Sequence, residues 1–114
     1  MKIYIAGKVT GLRHSDAVNK FERTETALID AGIAPSDIVN PMKLGIPEGI
    51  NWIDAMHICI KHLRQCTAIY VQNDWRDSFG ARREITIAEE LKLDIFHESR
   101  NDIEMLKNLI NTGV

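Results

Sequence analysis

Glu84 is the residue whose type and position most suggest chemistry. It lies in the segment NDWRDSFGARREITIAEE, residues 73–90, whose helical spacing predicts an inward stripe containing Ala81, Ile85, Ala88 and Leu91. Side chains on a helix lean towards its N-terminus, so the carboxylate of Glu84 is predicted to point along this stripe and towards the helix start. Burying a carboxylate without partners is strongly unfavourable, so a local need must explain its place.

A simpler interpretation places Glu84 at the edge of this stripe, paired with a nearby cation. The candidate cations are Lys8, Arg82 and Arg83. The spacing favours neither interpretation, so the burial and the partners of the carboxylate decide between them.

The loop before this helix carries residues suited to holding an anionic group or a sugar. Ser78 or Asp77 is predicted to cap the helix N-terminus, and Gly80 lets the chain come close to a ligand there. The helix dipole and the free N–H groups favour negative charge at that end. Asp74 and Asp77 are predicted either to contact the ligand or to serve as solvated loop acids or caps.

A second glycine-containing loop, AGKVTGL, follows the first predicted strand. Gly7 and Gly11 flank Lys8, Val9 and Thr10, so backbone N–H groups there can approach an anion closely. The loop matches neither the Walker pattern nor the dinucleotide-binding fingerprint. A purely structural glycine turn is the alternative.

Two tryptophans and one further acid have open interpretations. Trp52 and Trp75 either cover the edge of the core or contact a ring-shaped ligand. Asp54 falls in the first turn of a predicted helix, where a carboxylate favours the macrodipole without any role in chemistry.

The elements that must position these residues alternate along the chain. Short apolar runs predict strands at 2–6, 37–41, 67–72 and 93–96. Helical spacing predicts helices at 15–31, 52–65 and 79–92, followed by a last helix that starts near residue 101. Ser15 is the predicted N-cap of the first helix, and Asn101 forms a predicted capping box with Glu104.

The inward faces of the first two helices are also predicted from spacing. The first face consists of Val18, Phe21, Leu28 and Ile29, and the second of Ile53, Met56, Ile60 and Leu63. Four strand–helix repeats indicate one α/β domain over residues 1–114, with a doubly wound, flavodoxin- or Rossmann-like parallel sheet of four or five strands and helices on both faces. Ligands of such sheets bind beyond the C-terminal ends of the strands, so the loops after Ala6, Pro41 and Gln72 are predicted to meet there.

Composition argues against a nucleic-acid polymer or a membrane as partner. The formal net charge is −2 over 114 residues, which does not suit a surface that neutralises many phosphates. No apolar run has the length of a signal peptide or a membrane span, so a cytoplasmic protein is expected.

Cys59 and Cys66 form no CxxC motif and the four histidines lack ligand spacing, so reduced thiols and no metal site are expected.

Two motifs resemble those of a known superfamily. YIAGKVTG, residues 4–11, is similar to the first-strand signature of the nucleoside 2-deoxyribosyltransferase superfamily, which includes the deoxynucleoside 5′-monophosphate N-glycosidases. The pattern S-x-G-x-x-x-E-x-x-x-A, here Ser78, Gly80, Glu84 and Ala88, is similar to the nucleophile motif of that superfamily. More narrowly, W-x-D-S-x-G-A-R-x-E, from Trp75 to Glu84, is typical of its small bacterial and phage members known as DUF4406. The resemblance runs from residue 2 to about residue 96.

The resemblance implies cleavage or transfer of the N-glycosidic bond of a 2′-deoxyribonucleoside or its 5′-monophosphate. Glu84 would be the nucleophile, held by the hydroxyl of Tyr4, and no metal or organic cofactor would be needed. The substrate would be cradled by the two loops, at Gly7, Lys8, Val9, Thr10, Gly11, Asp74, Asp77, Ser78 and Gly80. A homodimer or larger homo-oligomer is also implied.

The chain departs from the superfamily pattern at two positions. Cys59 stands where many members have an Asp on the preceding helix, and a thiol cannot replace a carboxylate in proton delivery at neutral pH. Asp54 and Asp74 are the candidates to supply that acid. Thr10 stands where the monophosphate glycosidases have an Arg, although Ser78 matches their phosphate-binding serine and favours a nucleotide. A catalytically inactive nucleotide-binding module is therefore the alternative function.

Overall fold

The computed structural model describes residues 1–112 as a parallel sheet with two helices on each face. In chain order the strands and helices are β1 (Ile3–Ala6), α1 (His14–Asp30), β2 (Ile38–Val39), α2 (Trp52–Leu63), β3 (Ala68–Val71), α3 (Phe79–Glu90), β4 (Asp94–His97) and α4 (Asp102–Asn111). The predicted doubly wound α/β fold is confirmed, and its parallel sheet has four strands. No helix within residues 1–112 is long and apolar enough to cross a bilayer.

The strand order is β2-β1-β3-β4, and every neighbouring pair is parallel. The chain winds outward from β1 to β2 in one direction and from β3 to β4 in the other, so the order reverses between the two central strands. Both central strands are buried along their whole length, which explains their nearly continuous apolar sequence. The loops that leave them diverge and open a crevice at the C-terminal edge of the sheet.

The alternation of side chains along the strands divides the core between the two faces of the sheet. Ile3 and Ile5 of β1 pack on the face covered by α1 and α4, whereas Tyr4 faces α2 and α3. The side chain of Glu84 in α3 therefore approaches the sheet on the same face as Tyr4. This shared face is the structural basis of the candidate site.

The N-caps predicted for α1 and α4 form no side-chain cap, although these two helices start within one residue of the predicted positions. Helix α1 begins at His14, Arg13 occupies the cap position without a side-chain bond, and Ser15 is exposed inside the helix. Asn101 adopts a left-handed conformation with φ 55°, whereas a side-chain N-cap needs an extended backbone. The carboxylate of Asp102 instead accepts the N–H of His97 at 2.8 Å and ties α4 to the end of β4.

The predicted inward faces are correct only in part. In α1 the buried residues are Ala17, Phe21, Thr24 and Leu28, because the inward face is rotated away from Ile29, which is exposed. In α2 only the second half packs on the sheet, so Ile53 remains 61% exposed while Cys59 and Leu63 are buried. Leu91, predicted on the inward stripe of α3, follows the end of that helix and is exposed.

Candidate active site

A cavity of about 540 Å³ occupies the crevice at the C-terminal edge of the sheet. One wall is formed by the end of β1 and its following loop, and a second by α3 with residues 77 and 78. The third wall combines residues 41–48 with the first half of α2. Of the residues predicted to form the site, the lining includes Tyr4, Gly7, Val9, Thr10, Asp77, Ser78, Gly80 and Glu84.

Glu84 is only 5% exposed and lies in the wall of this cavity, where its carboxylate accepts a hydrogen bond from the hydroxyl of Tyr4. Burial raises the pKa of this carboxyl to about 8, and the Tyr4 hydrogen bond opposes part of that rise. Among the ion pairs described for residues 1–112, none includes Glu84. The interpretation as an edge residue paired with a cation is therefore wrong.

Tyr4 is fully buried at the base of the cavity. Burial and then the charge of Glu84 raise the pKa of its hydroxyl well above the ordinary value, so the hydroxyl keeps its proton at neutral pH. A protonated hydroxyl can donate to the carboxylate and fix its orientation. The pair is thus a carboxyl group that faces a cavity, held by a neutral donor.

Cys59 lines the same cavity on the α2 side. Burial and then the neighbouring Glu84 charge raise the pKa of its thiol to about 11, so it stays protonated at neutral pH. In that form the thiol neither delivers a proton efficiently nor serves as a thiolate nucleophile. Cys66 is also free and buried, but it lies in the core and not in the cavity lining.

Ser78 caps α3 as predicted, because its hydroxyl oxygen accepts the N–H of Ala81 at 3.0 Å. The N-terminus of α3 consequently faces the cavity, with Asp77 exposed beside it. Gly80 has no side chain to fill the gap between the start of α3 and Met56. A Cβ atom at this position would lie 3.2 Å from the Sδ atom of Met56. Together these residues can receive a polar group of a ligand at a helix start.

The three remaining predicted binding residues, Lys8, Gly11 and Asp74, lie outside the cavity lining. The carboxylate of Asp74 accepts the backbone N–H of Lys8 at 3.0 Å and pairs with the Nζ atom of Lys20 at 2.7 Å. Lys20 also donates to the carbonyl oxygen of Lys8 at 2.6 Å. Asp74 and Lys20 thus brace the first loop from behind.

Removal of this brace should destabilise the protein, although neither Asp74 nor Lys20 lines the cavity. We expect Asp74→Ala to lower the free energy of unfolding by about 2 kcal/mol, because it leaves the partly buried Lys20 ammonium without its carboxylate. Urea unfolding at pH 7 measures the change. Asp77→Ala is the matched control, since Asp77 is exposed and has no side-chain hydrogen bond described within residues 1–112. Equal stability losses in the two variants would contradict this role.

The third wall is formed by the loop after Pro41, which was predicted to reach this edge, and by Trp52, but no side chain of that loop was singled out from the sequence. Residues 41–48 reach over the crevice, and Trp52 packs edge-to-face on Phe79 with ring centroids 5.5 Å apart. Phe79 is 67% exposed, so the two rings form an aromatic rim at the mouth. His14, at the start of α1, also lines the cavity. The signal for this wall was the G-x-P-x-G sequence at 45–49, where glycine and proline indicate an ordered loop.

The other candidates are engaged elsewhere. Asp54 accepts a hydrogen bond from the amide of Asn51 at 2.9 Å in the first turn of α2 and does not line the cavity. Trp75 packs against His97 at the end of β4, with ring centroids 6.0 Å apart. Within residues 1–112 no group of three or more His, Cys, Asp or Glu side chains could hold a metal ion.

The fold and the site define a doubly wound α/β protein whose switch-point crevice holds a buried carboxylate. A family model described as DUF4406, a domain of unknown function, matches residues 1–97, and the chain belongs to this family. None of the curated proteins and none of the solved structures matches the chain.

Proposed function

We propose that this protein cleaves or transfers the N-glycosidic bond of a 2′-deoxyribonucleoside or its 5′-monophosphate through a glycosyl-enzyme intermediate on Glu84. The observation that carries the proposal is a buried carboxylate that faces a cavity and is held by Tyr4. The motif resemblance of residues 4–11 and 78–88 to the nucleoside 2-deoxyribosyltransferase superfamily supports the same chemistry.

In the proposed reaction a carboxylate oxygen of Glu84 attacks C1′ of the deoxyribose. The bond from C1′ to the base nitrogen breaks, and its electron pair leaves with the base. Water or a second base then attacks C1′, and the Glu84 carboxylate is released. Because a 2-deoxy sugar has no electron-withdrawing 2-hydroxyl group, positive charge develops easily at C1′ in the transition state.

The cavity has a polar part and an aromatic rim, and this arrangement supports a ligand that consists of a sugar and a planar base. Thr10 and Ser78 offer hydroxyl groups near the glycine loop and the start of α3, which suits a sugar or its 5′ group. The rim of Trp52 and Phe79 lies at the mouth and offers ring faces to a planar base. We also propose a cytoplasmic location. A homodimer or larger homo-oligomer is proposed as well, and the exposed Ile53, which is outside the cavity lining, offers an apolar contact for it.

The experiment that tests this function follows release of free base by chromatography. The purified protein is incubated with a panel of deoxynucleosides and their 5′-monophosphates at pH 8, with Glu84→Gln in parallel. We expect release by the native protein and a loss of at least about 1,000-fold in the variant, because the nucleophile is removed. Release at the native rate by the variant would overturn the assignment of Glu84.

The pH dependence of base release should report the buried carboxyl. Because Glu84 must be ionised to attack, the rate on a substrate whose base leaves without protonation should rise with pH and level off above about 8. We expect Tyr4→Phe to move this rise to higher pH and to slow release at pH 7 about tenfold or more, since the lost hydrogen bond stabilised the ionised form. Tyr70→Phe, buried on the opposite face of the sheet, is the control and should leave the profile unchanged.

A nucleotide-binding module without catalysis is the second candidate function, and Cys59 is the observation that favours it. A thiol in place of an acid beside Glu84 removes one source of protons for the departing base. In that case a deoxynucleotide should raise the melting temperature of the protein while no substrate of the panel releases its base.

A further inference from the structure

The proposed reaction needs a proton for the departing base, and neither of the two acids that the sequence suggested for this role lines the cavity. Cys59 holds a thiol that stays protonated at neutral pH. Asp54 is bound to Asn51, and Asp74 is paired with Lys20, so neither faces the cavity. Another group must therefore supply the proton if the base does not leave as an anion.

The lining that the structure describes contains two carboxyl groups besides Glu84, those of Glu48 and Asp77. Asp77 precedes the cap of α3, next to Ser78 and the polar part of the cavity. Glu48 lies on the opposite wall, four residues before Trp52 in the aromatic rim. A planar base that stacks on Trp52 would lie on the wall that carries Glu48, whereas Asp77 lies on the wall that carries Ser78.

Glu48 belongs to a short segment, residues 45–49, which we call the strap. Gly45 and Gly49 at its ends adopt left-handed conformations, with φ 70° and 79°, and nothing lies within 4 Å of a Cβ atom built on either. The strap also carries Ile46 and Pro47, both in the cavity lining. A segment with open glycine joints at both ends can move towards a bound base as one unit.

We propose that Glu48 is the general acid that protonates the departing base, an inference that rests on the proposed function. As Glu84 bonds to C1′ and the electron pair of the glycosidic bond moves to the base, a proton passes from the Glu48 carboxyl to a base nitrogen. In the second half, the water that attacks C1′ gives a proton back to the Glu48 carboxylate, and Glu84 leaves C1′ as a carboxylate. The net reaction adds one water to the substrate and restores both side chains.

The physical setting of Glu48 suits this task. The side chain is exposed to solvent in the cavity lining. When the strap closes on a base, the carboxyl leaves water for a wall formed by Ile46, Pro47 and Trp52. Removal from water favours the neutral form of a carboxyl, which is the form that carries the proton.

The test compares two leaving groups in Glu48→Gln. One substrate is the deoxynucleoside that the native protein cleaves fastest; the other is 7-methyl-2′-deoxyguanosine, whose base already carries a positive charge and leaves without protonation. We expect the variant to lose about 100-fold in kcat on the first substrate and less than about threefold on the second. Glu90→Gln, exposed at the far end of α3, should match the native protein on both.

The remaining outcomes separate the two proposals. An equal loss on both substrates, or no loss on either, would overturn the role of Glu48 as an acid and leave the glycosidase function standing. Failure of the native protein to release a base from either substrate would overturn the proposed function and, with it, this inference.

Discussion

Glu84→Gln is expected to stabilise the folded protein, most strongly at alkaline pH. The pKa of this carboxyl is about 8 in the folded protein, against an ordinary value of 4.5, because burial disfavours its charge. Between these values the folded state binds more protons than the unfolded chain, so the native protein loses stability as the pH rises from about 4.5 through 8. A glutamine of nearly the same shape has no charge to bury and escapes this loss, which is at most about 5 kcal/mol.

Urea unfolding of both proteins at pH 5, 7 and 9 measures the effect. The free energy of unfolding of the variant should exceed that of the native protein by an amount that grows from pH 5 to pH 9. Glu90→Gln provides the matched control, because Glu90 is exposed at the end of α3 and its replacement should give a small difference at every pH. A constant difference between Glu84→Gln and the native protein would mean that the carboxyl does not titrate as described.

The same substitution should abolish base release, since an amide is a far weaker nucleophile than a carboxylate. A change that stabilises the fold while it removes an activity is the behaviour expected of a residue that function keeps in an unfavourable place. The combination distinguishes Glu84 from a structural carboxylate. If Tyr4 and Glu84 formed only a stabilising core pair, replacement of either partner would lower stability across the whole pH range.

The parts of the site that follow from local periodicity could be predicted. Helical spacing in α3 places Glu84 along the inward stripe, the motif resemblance points to Tyr4, and a parallel sheet fixes the edge at which their loops open. The cap at Ser78 is likewise a contact between residues three apart in the chain. Such contacts depend on neighbours in sequence, so a single sequence carries enough information to place them.

The parts that depend on contacts between distant segments could not be predicted. Asp74 and Lys20 are 54 residues apart, and their pairing converts a predicted ligand contact into a brace for the first loop. Trp52 and Phe79 meet only because α2 and α3 pack side by side over the sheet. The position of the strap over the crevice depends on the same packing, so no local pattern revealed that Glu48 faces the cavity.

Gly7→Ala is expected to lower the free energy of unfolding by about 3 kcal/mol or more, because the added methyl group would clash with the buried side chain of Gln72. A Cβ atom at this position would lie 1.9 Å from Oε1 and 2.8 Å from Cδ of Gln72. Gln72 is only 2% exposed, and its amide donates to the hydroxyl of Thr24 at 2.8 Å and to the carbonyl of Lys20 at 3.3 Å. The side chain cannot move away without breaking these bonds between β3 and α1, so the extra methyl group forces a loss of packing or hydrogen bonding.

Thermal unfolding tests this prediction with a second glycine of the same cavity as control. Gly7→Ala should lower the melting temperature by about 10 °C or more, while Gly80→Ala should leave it unchanged or raise it slightly. At Gly80 the added methyl group meets only the flexible end of Met56, at 3.2 Å, and alanine favours the helix. The double variant Gly7→Ala/Gln72→Ala should recover part of the lost stability, because it removes the atoms that clash. A native melting temperature for Gly7→Ala alone would mean that Gln72 has another place to go, and the first loop would then owe its shape to Asp74 and Lys20 alone.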